Sequence, residues 1–405
     1  MIAAVLIAAG FAYHAAWQPM DFRVYHYGAR GVFDGTRPVY GPASGLGWPM
    51  HYRYPPLFLL LFTPFAMLPL AWGAAAWVLL KTGALIGLLW CWTKRGLKPA
   101  AAGLPERSGI LPAAAGFNPH SLLFSLLLVG PYLIEEFRYG NAQFFVVALT
   151  AASLMLARER PILSAGSLAL AISIKVWPLF FVPYLAVRQN WKVVNHTLGF
   201  VALLALLPSF YFGFQGNLDL LGQWVSQESE TQLGNTEIWF PNQSLRGSLM
   251  RYFTVIDYSQ MPDSNYPQVN IAALDPQIVR TIWLWTAGAA YLMFLVIAYR
   301  RRDSDGWLDH GLAFCLVPLL QPFTQKYALS VLLWPALLAG VLVAKRRFRV
   351  LLYAAAGLVL VQPLASGAAA QRLLQVLGFD FAATALLTAA LAGACLKFSD
   401  DSELR

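Results

Sequence analysis

The acidic residue Asp21 lies in the segment DFRVYHYGAR (21–30), directly after an apolar stretch that opens at Met1. A carboxylate at the water-facing end of a membrane helix could act as a general base and accept the proton of an attacking hydroxyl group. Two structural roles compete with this one. The carboxylate could pair with Arg23 or Arg53, or it could cap a short interfacial helix at 22–33. The residue types alone leave these roles open.

Two lysines interrupt apolar runs. Lys175 divides ILSAGSLALAISIKVWPLFFVPYLAV (162–187), and Lys81 lies in WVLLKTGALI. A charge at such a depth costs about 2.5–3.5 kcal/mol on insertion scales and usually faces a polar cavity or a partner. The alternative is that the side chain snorkels to the interface. We expect Lys175 to be functional, whereas Lys81 lacks a companion motif.

Five polar segments follow or precede apolar runs. Together they carry Arg or Lys, amides and aromatic rings. Aromatic rings beside hydrogen-bonding groups suit sugar faces, and Arg and Lys suit phosphate. Tyr and Trp also belong to ordinary interfacial belts, so each segment alone has a structural explanation. Their convergence on one membrane face favours a binding site. The segments are DFRVYHYGAR (21–30), HYRYPP (51–56), EEFRYGNAQ (135–143), WFPNQSLRG (239–247) and QPFTQKY (321–327).

The composition is that of a membrane protein. Of the 405 residues, 58% are hydrophobic and 12% charged, and the mean hydropathy is +0.55. A soluble domain is roughly 45–50% apolar and roughly 25% charged. The net charge of +9 is explained better by basic cytoplasmic loops than by nucleic-acid binding. The cysteines, Cys91, Cys315 and Cys395, all lie in apolar runs and indicate neither a disulfide framework nor a metal cluster.

The hydropathy pattern predicts an all-α polytopic protein with about twelve transmembrane or re-entrant helices. The stretch 55–69 is too short for an easy crossing and is predicted to be an interfacial or re-entrant helix. The stretch 162–187 has basic clusters at both ends, so we expect it to turn back near Lys175–Pro178 as two short helices. The other predicted spans are 1–17, 70–92, 118–134, 142–157, 193–213, 279–299, 308–323, 327–344, 350–368 and 377–397.

The charge pattern predicts the sidedness. Basic clusters such as RQNWK (188–192) and YRRRD (299–303) are assigned to the cytoplasm, with both termini. This assignment places outside a first loop with an interfacial helix (18–69) and a large, mainly acidic loop (214–277). We found no internal repeat, which argues mildly against a transporter or flippase, the main alternative. A non-catalytic membrane scaffold is a third possibility.

Several motifs, taken in order, resemble those of the bacterial GT-C glycosyltransferases of the family-87 type. They are DFRVY (21–25), YPPLF (54–58), RYGNAQ (138–143), SIKVWPLFF (173–181) and NQSLRG (242–247), and the resemblance covers nearly the whole chain. It implies a single GT-C membrane domain over 1–405. Many relatives carry His in the late external segment, where this chain has TQKYAL (324–329), so Gln325 or Lys326 takes that place.

The resemblance also implies a reaction. It implies an inverting transferase that moves a sugar, typically mannose, from a polyprenyl phosphate donor to a lipid or glycan acceptor, with Asp21 as the general base. A phosphate is a good leaving group, so no general acid is needed, in contrast to glycoside hydrolysis. The expected location is the bacterial inner membrane, with the site on the extracytoplasmic side and membrane lipids around it.

The candidate substrate-binding residues lie in the matched segments. Positive groups are needed where negative charge builds on the departing phosphate. We expect no cofactor and no nucleic-acid partner; a divalent cation stays open, although the outer loops contain no Asp-x-Asp and their His26 and His51 lack metal-ligand spacing. The candidates are Arg23, Tyr25, Arg53, Tyr54, Arg138, Asn141, Gln143, Lys175, Asn242, Gln243, Arg246, Gln325 and Lys326.

Overall fold

The structure is a computed structural model that describes residues 20–41, 51–95, 119–233, 242–260 and 266–398, with residues 10, 13, 14 and 44 as isolated positions. Over these residues the chain forms helices and connecting segments and no strand, which confirms the all-α prediction. The predicted span 1–17 falls largely outside the described residues, and the sequence beyond 398 falls entirely outside them.

The α-helices are numbered in chain order. They are α1 (Met20–Phe33), α2 (Pro56–Ala66), α3 (Leu70–Arg95), α4 (Pro119–Tyr139), α5 (Gln143–Leu156), α6 (Pro161–Ile174), α7 (Phe181–Val187), α8 (Trp191–Leu206), α9 (Ser209–Phe212), α10 (Phe214–Leu233), α11 (Leu245–Phe253), α12 (Pro276–Arg300), α13 (Trp307–Leu320), α14 (Leu333–Ala344), α15 (Arg349–Leu364), α16 (Ala368–Val376) and α17 (Phe379–Lys397). Short 3-10 helices cover Trp177–Phe180, Tyr258–Gln260 and Lys326–Leu332.

Six of the described helical stretches are long and apolar enough to cross a membrane: Leu70–Trp92, His120–Tyr139, Trp191–Phe212, Pro276–Arg300, Lys326–Ala344 and Phe379–Lys397. Each coincides with a predicted span. Shorter apolar helices occupy the remaining predicted spans within the described residues and the two short stretches, 55–69 and 162–187. The chain is therefore an integral, polytopic membrane protein.

Two predicted boundaries are wrong. The helix expected at 22–33 already begins at Met20, so Asp21 lies in its first turn and is not the residue that caps it. The predicted span 118–134 ends too early, because α4 continues to Tyr139 and includes residues 135–139 of the polar segment EEFRYGNAQ (135–143). In both places the side chains that the sequence treated as loop residues are held by a helix.

The predicted break beside Lys175 is confirmed. In a continuous helix the ring of Pro178 would clash with the carbonyl group of Ile174. The helix α6 accordingly ends at Ile174, and Lys175 adopts an extended conformation (φ −142°, ψ 138°) before the 3-10 helix at Trp177–Phe180. The lysine side chain therefore projects from a helix end and not from a helix interior.

The chain divides into two compact units. The first unit comprises residues 1–89, 134–185 and 190–234. In it, α1 packs against α2, and α6 packs against α5 and α8. Apolar residues spaced three or four apart on α1, including Phe22, Tyr25 and Ala29, join Phe58 and Phe62 of α2 in the buried core.

The second unit comprises residues 90–133, 186–189 and 235–405. In it, α17 packs against α13 and α15, and α11 packs against α12. A buried carboxylate, Asp309, accepts hydrogen bonds from Arg188 (Nη1, 2.5 Å) and Arg301 (Nε, 2.7 Å). These arginines belong to the basic clusters RQNWK (188–192) and YRRRD (299–303) of the sequence.

Candidate active site

The Asp21 carboxylate is almost fully buried in the first turn of α1, with 9% of the residue exposed. A carboxylate is favourable at this place because the N-terminus of a helix carries a partial positive charge. Its Oδ2 accepts a hydrogen bond from Nδ2 of Asn141 at 2.7 Å. The partner of the carboxylate is thus an amide and not the arginine that the sequence offered as an alternative.

Asn141 organises the centre of the first unit. Its Oδ1 accepts hydrogen bonds from the backbone N–H of Gln143 (2.8 Å), from Nζ of Lys175 (3.1 Å) and from the hydroxyl group of Tyr54 (3.2 Å). Three donors around one oxygen fix the orientation of the amide, so its nitrogen must point at Asp21. One side chain therefore links the carboxylate to the lysine.

Lys175 lies on the opposite side of this amide from Asp21. Its Nζ also donates to Oε1 of Gln143 at 3.0 Å and lies 5.4 Å from the centre of the Tyr54 ring. The side chain is half-buried, and its first neighbours include neutral amide oxygens. Both of these hydrogen bonds go to uncharged amide oxygens, those of Asn141 and Gln143.

Tyrosine side chains form a wall beside Asn141. The hydroxyl groups of Tyr25 and Tyr54 lie 2.8 Å apart, and the hydroxyl of Tyr40 donates to the Tyr54 carbonyl at 2.7 Å. The Tyr25 ring meets those of Tyr54 and Phe58 edge-on, with centroids 4.9 and 5.3 Å apart. Aromatic rings with hydroxyl groups aimed at a polar centre match the surface of a sugar.

Arg53 is held by the helix α10. Its guanidinium group makes a bidentate pair with Glu228, with nitrogen–oxygen distances of 3.0 and 2.9 Å. The same helix fixes the neighbouring backbone, since Trp224 Nε1 donates to the Arg53 carbonyl and Gln227 Nε2 to the Tyr52 carbonyl. The first helix of the predicted loop 214–277 is therefore part of the wall of the site.

Arg23 and Arg138 lie at the surface of the first unit. Arg23 is two residues from Asp21 on α1, so its side chain leaves a different face of the helix and is exposed. Arg138 is also exposed and pairs with Glu135 at 3.7 Å. Neither arginine takes part in the hydrogen bonds that join Asp21, Asn141 and Lys175.

The segment NQSLRG (242–247) lies in the second unit, where it begins α11. Asn242 uses both ends of its amide on backbone groups: Oδ1 accepts from the N–H of Ser244 and Thr324, and Nδ2 donates to the Pro322 carbonyl. Gln243 donates from its backbone N–H to the Thr324 carbonyl at 2.7 Å. These contacts join two of the predicted external loops.

The cations of the second unit have different surroundings. Arg246 is buried, with its guanidinium carbon 5.1 Å from the centre of the Trp283 ring. Gln325 and Lys326 are half-buried at the start of a 3-10 helix, and Lys326 interacts electrostatically with the buried carboxylate of Asp380. These residues are polar groups of the second unit.

Sequence reasoning missed two acids of the first unit. Glu136 forms a fully buried ion pair with Lys81, and Glu228 pairs with Arg53. Lys81 was visible because it interrupts an apolar run, but its partner lies 55 residues away along the chain. Glu136 lies in the polar segment EEFRYGNAQ (135–143), but the residue types of that segment do not show which of its charged side chains is buried.

Burial governs the electrostatics of the site. Burial raises the pKa of the Asp21 carboxyl above its usual value, while the Asn141 hydrogen bond and the charge of Lys175 oppose that rise. In the described part of the chain, no three His, Cys, Asp or Glu side chains come together in an arrangement that could hold a metal ion. The arrangement that is present offers one carboxylate, one cation and a bridging amide.

Helices long and apolar enough to cross a membrane, with a buried carboxylate joined to a lysine through one amide, define an integral membrane protein with a polar site. The family model of glycosyltransferase family 87 matches residues 52–322, more than half of the chain. The chain belongs to glycosyltransferase family 87.

Two curated proteins show partial similarity. Both are named polyprenol-phosphate-mannose-dependent alpha-(1-2)-phosphatidylinositol mannoside mannosyltransferase. The protein from Mycobacterium tuberculosis is 26% identical over 205 residues, 46% of this chain and 44% of its own length. The protein from Mycolicibacterium smegmatis is 25% identical over 245 residues, 57% of this chain and 52% of its own length. The chain thus aligns with about half the length of the curated relatives.

Proposed function

We propose that this protein is an inverting glycosyltransferase that moves a sugar, mannose in the first instance, from a polyprenyl phosphate to a lipid or glycan acceptor. The observation that carries the proposal is the link from Asp21 through Asn141 to Lys175, with distances of 2.7 and 3.1 Å. It joins, through the two ends of one amide, the residues that we assign as the base and as the phosphate-binding cation. Family membership and the names of the two relatives support the donor and the sugar.

The proposed reaction is a single displacement. The acceptor hydroxyl oxygen forms a bond to the anomeric carbon as the bond from that carbon to the phosphate oxygen breaks, and the electron pair leaves with the phosphate. Asp21 takes the hydroxyl proton, a contribution worth roughly 10²–10⁴-fold. Because Asn141 bonds to Oδ2, we assign the proton to the second carboxylate oxygen, Oδ1. The proton then passes to solvent.

Lys175 has the complementary role. Negative charge grows on the departing phosphate, and a cation already in place lowers the free energy of the transition state without reorganisation. Gln143 and Asn141 hold the ammonium group through neutral oxygens. The phosphate therefore replaces no ionic bond among these contacts when it binds. Tyr25 and Tyr54 supply the surface for the sugar.

We place the site on the extracytoplasmic side of the bacterial inner membrane. The basic clusters that we assign to the cytoplasm support this placement, and two of them meet at Asp309. Donor and acceptor lipids would then enter from the surrounding bilayer. The proposed reaction requires no general acid, because the phosphate leaves without protonation.

Transfer by the purified protein is the test. Protein in detergent or vesicles receives labelled polyprenyl-phosphomannose and a bacterial lipid extract, and the products are separated and identified. We expect a mannosylated lipid or glycan from the unmodified protein and less than about 1% of that rate from Asp21→Asn, in line with the loss of a general base. Asp34→Asn is the matched control, because Asp34 is an exposed acid just after the same helix.

The outcomes separate the proposal from its rival. No product from any lipid extract, or equal rates for Asp21→Asn and Asp34→Asn, would overturn the transferase assignment. Movement of the labelled lipid across the vesicle membrane without formation of a glycosidic bond would indicate a flippase instead. Binding of the donor by Asp21→Asn at wild-type affinity would show that the variant is folded and that the lost step is chemical.

A further inference from the structure

A buried ion pair lies behind the candidate site. Lys81 on α3 and Glu136 on α4 have no exposed side-chain surface. Nζ of Lys81 is 2.9 Å from each carboxylate oxygen of Glu136 and 3.2 Å from its backbone carbonyl oxygen. The ammonium group also lies 5.4 Å from the centre of the Phe137 ring. Three oxygens of one residue therefore hold the lysine.

The glutamate has a second partner. Its Oε1 accepts the backbone N–H of Phe144 at 3.0 Å. That N–H is one of the first groups of α5, which have no acceptor inside their own helix. Asn141 accepts the neighbouring N–H of Gln143. Glu136 and Asn141 thus accept neighbouring backbone N–H groups at the N-terminus of α5, where negative charge is favourable.

The helix α3 also contacts the turn at 140–143, which precedes α5. Trp77 precedes Lys81 by one helical turn, and its Nε1 donates to the Gly140 carbonyl at 2.9 Å. Gly140 has φ +71°, and a Cβ atom there would lie 2.9 Å from Cβ of Phe22, the residue after Asp21. The turn at 140–143 is therefore fixed by α3 on one side and lies against the start of α1 on the other.

Stability alone does not require this pair. Apolar residues of similar volume often replace a buried ion pair without loss of stability, whereas removal of a single partner leaves an uncompensated charge. What apolar residues cannot do is accept the Phe144 N–H or hold the acceptor in place. The position of Asn141, which is held by the same helix end, depends on that acceptor.

We propose that Lys81 and Glu136 are positioning residues for the transfer reaction: the pair fixes the turn at 140–143 and so keeps Asn141 aligned with Asp21. The inference rests on the proposed function, but it concerns groups that touch neither substrate. They act through Asn141. The pair also reaches Asp21 electrostatically, since the charge of Lys81 favours the ionised carboxylate.

Two double variants test the inference. Lys81→Met with Glu136→Leu removes both charges and the acceptor. Lys81→Met with Glu136→Gln also removes both charges but keeps an oxygen that can accept the Phe144 N–H. We expect the first to lower kcat about tenfold to a hundredfold with little change in KM for the donor, because misplacement of a catalytic group by about 1 Å costs up to about 100-fold. We expect the second to recover most of this loss.

A structural measurement keeps the test independent of activity. Deuterium uptake by the backbone of the peptide that covers 140–146 should rise in the Leu variant and stay near the wild-type value in the Gln variant. Equal uptake in the two double variants and the wild type, or equal kcat for the Leu variant and the wild type, would overturn the positioning role. Absence of transfer by the wild type would overturn the proposed function instead, and the exchange result would still decide whether the pair orders the turn.

Discussion

The Asn141 amide nitrogen lies 2.7 Å from Oδ2 of Asp21, while the oxygen of the same amide accepts a hydrogen bond from Lys175. A neutral side chain thus links the carboxylate to the ammonium group. In the proposed reaction, the other carboxylate oxygen accepts the substrate proton and the ammonium group faces the departing phosphate.

Asn141→Asp is predicted to impair Asp21 as a base, because it adds a second negative charge beside the Asp21 carboxylate. Two carboxylates in contact cannot both ionise readily, so the pKa of Asp21, already raised by burial, should rise further. We expect the rate at neutral pH to fall and the rise of the pH–rate curve to move to higher pH. Measurement of kcat/KM across pH checks this. An unchanged curve would show that the amide does not control Asp21.

The pH dependence of the wild type follows from the same carboxyl. A general base is active when deprotonated, and burial raises the pKa of Asp21 above that of an ordinary aspartate, about 3.9. Activity should therefore increase as the pH rises through this elevated pKa and should be lost on acidification earlier than an exposed aspartate would cause. The acidic limb of the pH–rate curve should be identical in Asp34→Asn. Activity that stays flat down to pH 4 would contradict the assignment.

Lys175→Gln is predicted to act on the chemical step. Glutamine keeps much of the length and polarity of the lysine but removes the charge that we propose faces the departing phosphate. We expect kcat to fall about 10²–10³-fold, the usual loss for one donor that stabilises developing negative charge. Lys192→Gln is the control, because Lys192 is an exposed lysine near the start of α8. A fall in both variants would point to a general electrostatic effect.

Gly140→Ala is predicted to destabilise the fold. A Cβ atom at this left-handed position carries a cost of about 1–2 kcal/mol, and here it would also meet Cβ of Phe22 at 2.9 Å. A lower midpoint of thermal unfolding and lower activity should therefore occur together. Gly166→Ala is the matched control, because Gly166 lies in α6 with nothing within 4 Å of its added Cβ. That substitution should be neutral or mildly stabilising.

Glu228→Gln is predicted to have a small effect on stability. The Arg53–Glu228 pair is partly open to solvent, with 32% and 21% of the two side chains exposed. Pairs of this kind typically contribute about 0–1 kcal/mol. We expect the unfolding midpoint to change little at moderate salt. A large loss of stability would show that α10 depends on this pair to hold the Tyr52–Tyr54 segment.

Much of the helical layout could be predicted because it depends on local properties. Apolar length predicted the spans, and the basic clusters at both ends of 162–187 predicted the break beside Lys175. The boundaries at Met20 and Tyr139 were missed, because polar residues at a helix end look like loop residues in sequence. The site was predicted in part: Asp21, Asn141, Gln143 and Lys175 were among the candidates, and the structure brings them together.

The sequence by itself determined that this is a polytopic membrane protein of glycosyltransferase family 87 with an acid, an amide and a lysine in ordered motifs. Only the tertiary structure decided which side chains are partners. The Asn141–Asp21, Lys81–Glu136 and Arg53–Glu228 contacts join residues 120, 55 and 175 positions apart. Hydropathy and motif spacing describe only a few helical turns of sequence at a time. Two distant polar groups form a hydrogen bond only when packing of the core brings their helix ends close enough together.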